Sequence, residues 1–119
     1  MKTRNLTLSE LQKANIERCT AGFGHELDGW SVAEWGCAAV GELGEACNIA
    51  KKMLRLRDGI KGNDPRMTRS TLRADLAREM ADTVIYLSLW AASQNIDLEE
   101  AVISAFNNKS IEIGSDIML

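Results

Sequence analysis

A single proline, Pro65, interrupts this chain of 119 residues. On either side of it the apolar residues recur at helical spacing. Before it, Ala39, Leu43, Ala46, Ala50 and Met53 are spaced four, three, four and three apart. After it, Leu72, Leu76, Met80, Thr83, Leu87 and Ala91 continue the same rhythm. Stripes of this kind bury one face of a helix. Alternation through β-branched residues is almost absent, so the pattern specifies an all-α protein.

Start and stop signals divide the pattern into four helices. Thr7-Leu8-Ser9-Glu10 has the form of a capping box, a hydroxyl at the N-cap with a carboxylate three residues on. It predicts a helix to about Cys19, broken by Gly22 and Gly24. Ser31-Val32-Ala33-Glu34 is a second box, opening a helix to about Arg57. The polar segment from Asp58 to Arg69, with Gly59, Gly62, Asn63 and Pro65, reads as a loop. A third helix starts between Thr68 and Thr71 and runs to about Gln94. A fourth starts at Asp97, again with a carboxylate three on, and reaches about Asn108; the tail from Ile111 is left unassigned. The two central helices are roughly 25 residues each, so about 37 Å long. Joined by a loop, they are expected to lie antiparallel. Trp35, Ile85, Leu89 and Trp90 fall off the main stripes, and that leftover apolar surface points to self-association as a symmetric dimer.

The composition is that of one soluble globular domain spanning residues 1–119, with 45% hydrophobic and 26% charged residues. A net charge of −3 offers no electrostatic footprint for duplex nucleic acid or an anionic membrane. No apolar run is long enough to span a bilayer, and Met1-Lys2-Thr3-Arg4 is not followed by the apolar core of a secretory signal. Cys19, Cys37 and Cys47 are odd in number and lack a paired metal spacing. They read as reduced thiols in a cytoplasmic protein, with Cys37 and Cys47 as small buried apolar residues.

The chemistry lies in two acid pairs. Glu42 and Glu45 are three apart on the second helix, within one narrow face that also carries Ala38, Ile49 and Lys52. Glu79 and Asp82 are three apart on the third, sharing a face with Asp75 and Tyr86. Glu-x-x-Glu is common on solvated helices, but both pairs here sit among small or apolar neighbours. Crowded carboxylates repel, by about 4 kcal/mol per pair at about 4 Å and an effective dielectric near 20. A cluster of four must therefore protonate or bind cations. Oxygen-only donors select a hard ion, Mg2+ or Mn2+. The di-iron alternative needs Glu-x-x-His, and the one histidine, His25, is remote in sequence.

Gly41-Glu42-Leu43-Gly44-Glu45-Ala46, then Lys51-Lys52, then Glu79-Met80-Ala81-Asp82 with Tyr86 four on, resembles the MazG-like nucleotide pyrophosphohydrolases of the all-α NTP pyrophosphatase superfamily. The likeness extends to Phe106-Asn107 and the tail near Ser110 and Gly114, about residues 30–117. It implies a four-helix, bundle-like fold completed by oligomerisation, as a homodimer or homotetramer. It implies magnesium-dependent hydrolysis of (d)NTP to (d)NMP and pyrophosphate, in the manner of nucleotide-pool house-cleaning. Glu42, Glu45, Glu79 and Asp82 match the metal-binding acids, while Tyr86 and Asn107 fall where such proteins contact the nucleotide. Glu42 or Glu45 is the expected general base. Lys52 is positioned to meet the β- or γ-phosphate, and Trp30, just before a helix start, is the expected base-stacking platform. Arg55, Arg57, Lys61, Arg66, Arg69 and Arg73 would gather triphosphate around the loop or simply solvate it. The rival readings are a dUTP- or phosphoribosyl-ATP-type hydrolase of the same superfamily, and a non-catalytic helical oligomerisation module.

Overall fold

A computed structural model of the chain describes residues 4–119. The first three residues, on which part of the reading against a secretory signal rests, lie outside the described residues. Among the described residues there are four α-helices and no strand: α1 (Leu8–Glu17), α2 (Val32–Asp58), α3 (Arg69–Ser93) and α4 (Leu98–Ile113). A π-helical turn, Arg18–Gly22, follows α1, and a 3-10 turn, Leu27–Gly29, precedes α2. No helix among them is long and apolar enough to cross a membrane.

The helix starts follow local hydrogen bonding. At α1 the Glu10 N–H donates to Thr7 Oγ1 at 3.1 Å and the Thr7 N–H donates to the Glu10 carboxylate at 3.3 Å, the reciprocal box expected there. Two threonines do the same at α3: the Thr71 N–H donates to Thr68 Oγ1 at 3.2 Å and the Thr68 N–H to Thr71 Oγ1 at 3.0 Å. Asp97 caps α4 by accepting from the Glu100 N–H at 3.1 Å. The ends differ more from expectation. The helical path of α1 passes beyond Glu17 as a π turn rather than ending at Cys19. The fourth helix runs on past Asn107-Asn108 to Ile113, and what stops it is Gly114 at φ 71°, a left-handed cap that lets Ser115 N–H reach back to Ser110 O at 2.8 Å.

The residues sort into two compact units, one being Ala33–Leu87 and the other the chain up to Val32 together with Ser88–Leu119. The first of these is a helical hairpin made by α2 and most of α3. Glu42 and Glu45 meet Glu79, while Met53, Leu54, Leu56 and Arg57 share a cavity with Arg69. As numbers rise on α2 they fall on α3, so the helices run antiparallel. The loop between them is held by Asp64, which accepts from the Arg66 N–H at 2.9 Å and from its guanidinium at 2.8 Å, and by Asn63 Nδ2, which donates to Lys52 O at 2.8 Å.

The hairpin's interior is rotated from the expected stripe. Trp35 is 1% exposed and Leu72 0%, with Ala39 and Ala46 also buried. Taking Glu42 as origin at 100° per residue, Trp35, Ala39, Ala46 and Met53 lie within about 60° of it. Leu72, Leu76 and Thr83 lie within about 60° of Glu79 by the same count. Leu43 and Met80, central to the expected stripes, are instead 51% and 55% exposed, and Leu87 is exposed as well. Trp35 and Leu89, taken from the sequence as leftover surface, are buried. Trp35 hides far more area than any alanine, so its position, not the centre of the small-residue stripe, sets which way α2 turns.

The other unit is joined by polar side chains. Ser9 Oγ donates to the Glu99 carboxylate at 2.8 Å, linking α1 to α4. Gln12 Nε2 donates to Ser88 O at 3.2 Å and to Ile96 O at 2.9 Å, and the buried Asn15 Nδ2 donates to Ser88 Oγ at 2.8 Å. A buried amide that loses its partner is costly, so this set fixes the seating of α1.

Candidate metal centre

Glu42, Glu45 and Glu79 come together on the hairpin: one carboxylate oxygen from each lies within 4.8 Å of the others. The i, i+3 spacing on α2 supplies two of them, and the antiparallel register brings the third from α3. Glu42, Glu79 and Asp82 are half-buried, and Glu45 is exposed. Gly41 and Gly44 each precede one of the α2 acids, with nothing within 4 Å of where a Cβ would stand.

Asp82 is not among the three whose oxygens converge. Its charge nevertheless acts on Glu42. Burial pushes the Glu42 carboxyl above the ordinary carboxylate range, and the charge of Glu45, the charge of Asp82, a hydrogen bond with Glu45 and the charge of Glu79 all push the same way.

Glu79 is the most enclosed acid. Its side chain is 12% exposed; Oε1 lies 3.7 Å from the Arg78 guanidinium, which also pairs with Asp75 at 3.3 Å. Glu79 Oε2 is buried and has no hydrogen-bond partner. A buried carboxylate oxygen with no donor, on an acid grouped with two other carboxylates, is an arrangement that a cation completes. The donors are all oxygens, and no histidine or thiol joins the group, so the set suits Mg2+ or Mn2+.

The remaining expected site residues fall into two groups. Lys52 and Tyr86 are half-buried on the hairpin, Lys52 on the face of Glu42 and Glu45, Tyr86 one turn past Asp82. Trp30 and Asn107 belong to the other unit. Trp30 packs edge-on against His25, ring centroids 4.8 Å apart and planes at 67°. Asn107 is engaged at both ends of its amide: Nδ2 donates to Leu119 O at 3.2 Å, and Oδ1 accepts from the Leu119 N–H at 2.8 Å. Of the basic residues near the loop, Arg57 is paired with Asp58 at 2.7 Å and Arg66 with Asp64 at 2.8 Å.

The thiols invert the expectation. Cys19 is the buried one, its Sγ–H donating to His25 O at 3.2 Å, whereas Cys37 and Cys47 are exposed. Both lie on the outer side of α2, well away in azimuth from Trp35 and Ala46. The role of Arg78 as neighbour to Glu79 was also not legible in advance, since adjacent residues on a helix do not ordinarily face each other.

No protein-family model matches the chain, and neither the curated proteins nor the solved structures contain a match to it.

Proposed function

We propose that the α2–α3 hairpin carries a magnesium-dependent nucleoside triphosphate pyrophosphohydrolase site of the MazG-like kind, converting (d)NTP to (d)NMP and pyrophosphate. The observation that carries this reading is the convergence of Glu79 with Glu42 and Glu45, with Glu79 Oε2 buried and without a donor. Glu42, Glu45 and Glu79 would hold the ion, with Asp82 adding charge at its edge. A bound divalent ion would supply charge stabilisation to the triphosphate oxygens and a more acidic water.

The chain's own residues account for the rest. Glu42 holds a proton more tightly than an ordinary carboxylate. Glu42 or Glu45 would accept the proton of a water attacking the α-phosphorus, the other positioning the ion. Lys52 offers an ammonium group to the phosphate oxygens from the same helix face, and Tyr86 a phenol from α3. Three free thiols fit a reducing, cytoplasmic setting.

The reading extends to self-association. The exposed Val40 and Leu43 on α2 fall at about 160° and 100° from Glu42. The exposed Met80, Val84 and Leu87 on α3 fall between about 80° and 140° from Glu79. Because the helices are antiparallel, equal rotations carry both seams to the same side of the hairpin. A second copy packing there would complete a helical bundle, as a homodimer or, repeated, a homotetramer. The same seam favours the second reading, a non-catalytic oligomerisation module.

The test is a panel of ribo- and deoxyribonucleoside triphosphates with magnesium, scoring monophosphate and pyrophosphate. It also separates dUTP- and phosphoribosyl-ATP-type hydrolases. Glu42→Gln is expected to lower turnover by at least about a hundredfold with the helical circular dichroism unchanged. Turnover near the unaltered rate in that variant, or none on any triphosphate by the parent protein, overturns the proposal.

A further inference from the structure

The loop end of the hairpin holds a cavity of about 480 Å³, lined by Met53, Leu54, Leu56, Arg57 and Arg69. Met53, Leu56 and Arg57 lie within about 60° of Glu42 around α2 and Leu54 about 120° from it, so the cavity borders the helix face that carries the acids. Met53 is eight residues past Glu45, about 12 Å along α2, and Arg69 is ten residues before Glu79, about 15 Å along α3. A ligand with its α-phosphate at the acids and its chain extended along this face arrives at the cavity with its sugar and base.

The lining is chemically one-sided. Its walls are aliphatic and thioether, which suits the flat apolar surface of a nucleobase. Its only charged or strongly hydrogen-bonding side chains are two guanidinium groups, and a guanidinium donates without accepting. Such a lining pairs with a base edge that presents acceptors and leaves an amino group facing donors. Guanine offers O6 and N7 together, and uracil and thymine offer O4; adenine and cytosine place an amino group at the equivalent position. Arg57 is already bound to Asp58 through Nε and one terminal nitrogen, so Arg69 is the freer fork.

Resting on the triphosphate reading above, we propose that this cavity is the base compartment and selects nucleotides with oxo-bases over those with amino-bases. This puts Lys52, one residue before Met53, beside the α-phosphate and sugar rather than at the γ-phosphate. The test is kcat/KM with magnesium for guanosine, uridine, adenosine and cytidine triphosphates. The parent protein is expected to favour guanosine triphosphate by about tenfold or more, the low range for one bidentate donor pair, and uridine triphosphate by a smaller factor through its single acceptor. Arg69→Met keeps the apolar stem and removes the donors; it should bring the ratio close to one, chiefly through KM, with kcat within about twofold. Leu56→Trp, at an exposed position, should fill the cavity and raise KM for all four. Melting temperature and circular dichroism check that both variants fold, and a variant that unfolds is replaced by Arg69→Gln or Leu56→Phe. Equal kcat/KM for the four triphosphates, or an unchanged ratio and KM in the two folded variants, overturns the cavity assignment while leaving the hydrolase reading standing. Absence of turnover in the parent protein overturns both.

Discussion

Glu42 sits where its proton affinity reports on the whole cluster. Its carboxyl is held above the ordinary range in the folded chain, so folding takes up protons there. The associated stability is present in full below the ordinary carboxylate value and is lost as pH rises through the raised folded one. Metal-free protein is therefore expected to melt lower as pH climbs through that interval, and Glu42→Gln to flatten the dependence. Added magnesium should restore the melting temperature at neutral pH, because it binds the ionised acids of the folded chain. Melting curves from pH 4 to 8 with a chelator and with magnesium check both signs. The thiols give a second prediction. Burial, and after it the charge of Glu26, push the Cys19 thiol up, whereas Cys37 and Cys47 are exposed. A chromogenic disulfide reagent at neutral pH should titrate Cys37 and Cys47 quickly and Cys19 only after denaturation.

Among the elements, the helix starts carry the most legible information. A side-chain oxygen that satisfies an orphan N–H acts within three residues, so Thr7, Thr68 and Asp97 could be read before any packing was known. Asp97→Ala should cost about 1 kcal/mol, a fall in melting temperature of about 4 °C, with the acids untouched. Magnesium dependence measured alongside should not change. The far end of α4 was less legible. Two asparagines at 107 and 108 are poor helix formers, and the expectation stopped there. The structure continues because Ser110 is buried and Lys109 pairs with Glu112 at 3.0 Å, and the left-handed cap forms at Gly114.

Across the chain, the buried and the exposed apolar residues of the hairpin predict opposite outcomes. Leu72→Ala removes a fully buried side chain and should cost about 2–5 kcal/mol by denaturant unfolding. Leu43→Asp with Val84→Glu alters only exposed positions. If the seam packs against a second copy, this pair should convert the protein to monomer in sedimentation velocity while keeping its helical signal. A sedimentation coefficient unchanged by the double substitution would rule the seam out as the interface.

The acid pairs were legible because i, i+3 spacing places two side chains on one face whatever the helix packs against. The all-helical class was legible for a similar reason: apolar period, caps and the scarcity of breakers are properties of short stretches. Periodicity sets the angles between residues on a helix but leaves open which direction faces inward. That choice fell to the bulk of Trp35 and Leu72, which turned the hairpin toward its acids, left Leu43, Met80 and Cys47 outside, and enclosed Glu79 Oε2 without a donor. The convergence of Glu42, Glu45 and Glu79 without Asp82, and the two-arginine cavity beyond them, likewise depend on the register between α2 and α3. Register arises from contacts between residues 12 to 37 apart in the chain, such as Arg57 with Arg69 and Glu42 with Glu79, and no local pattern in either helix specifies it.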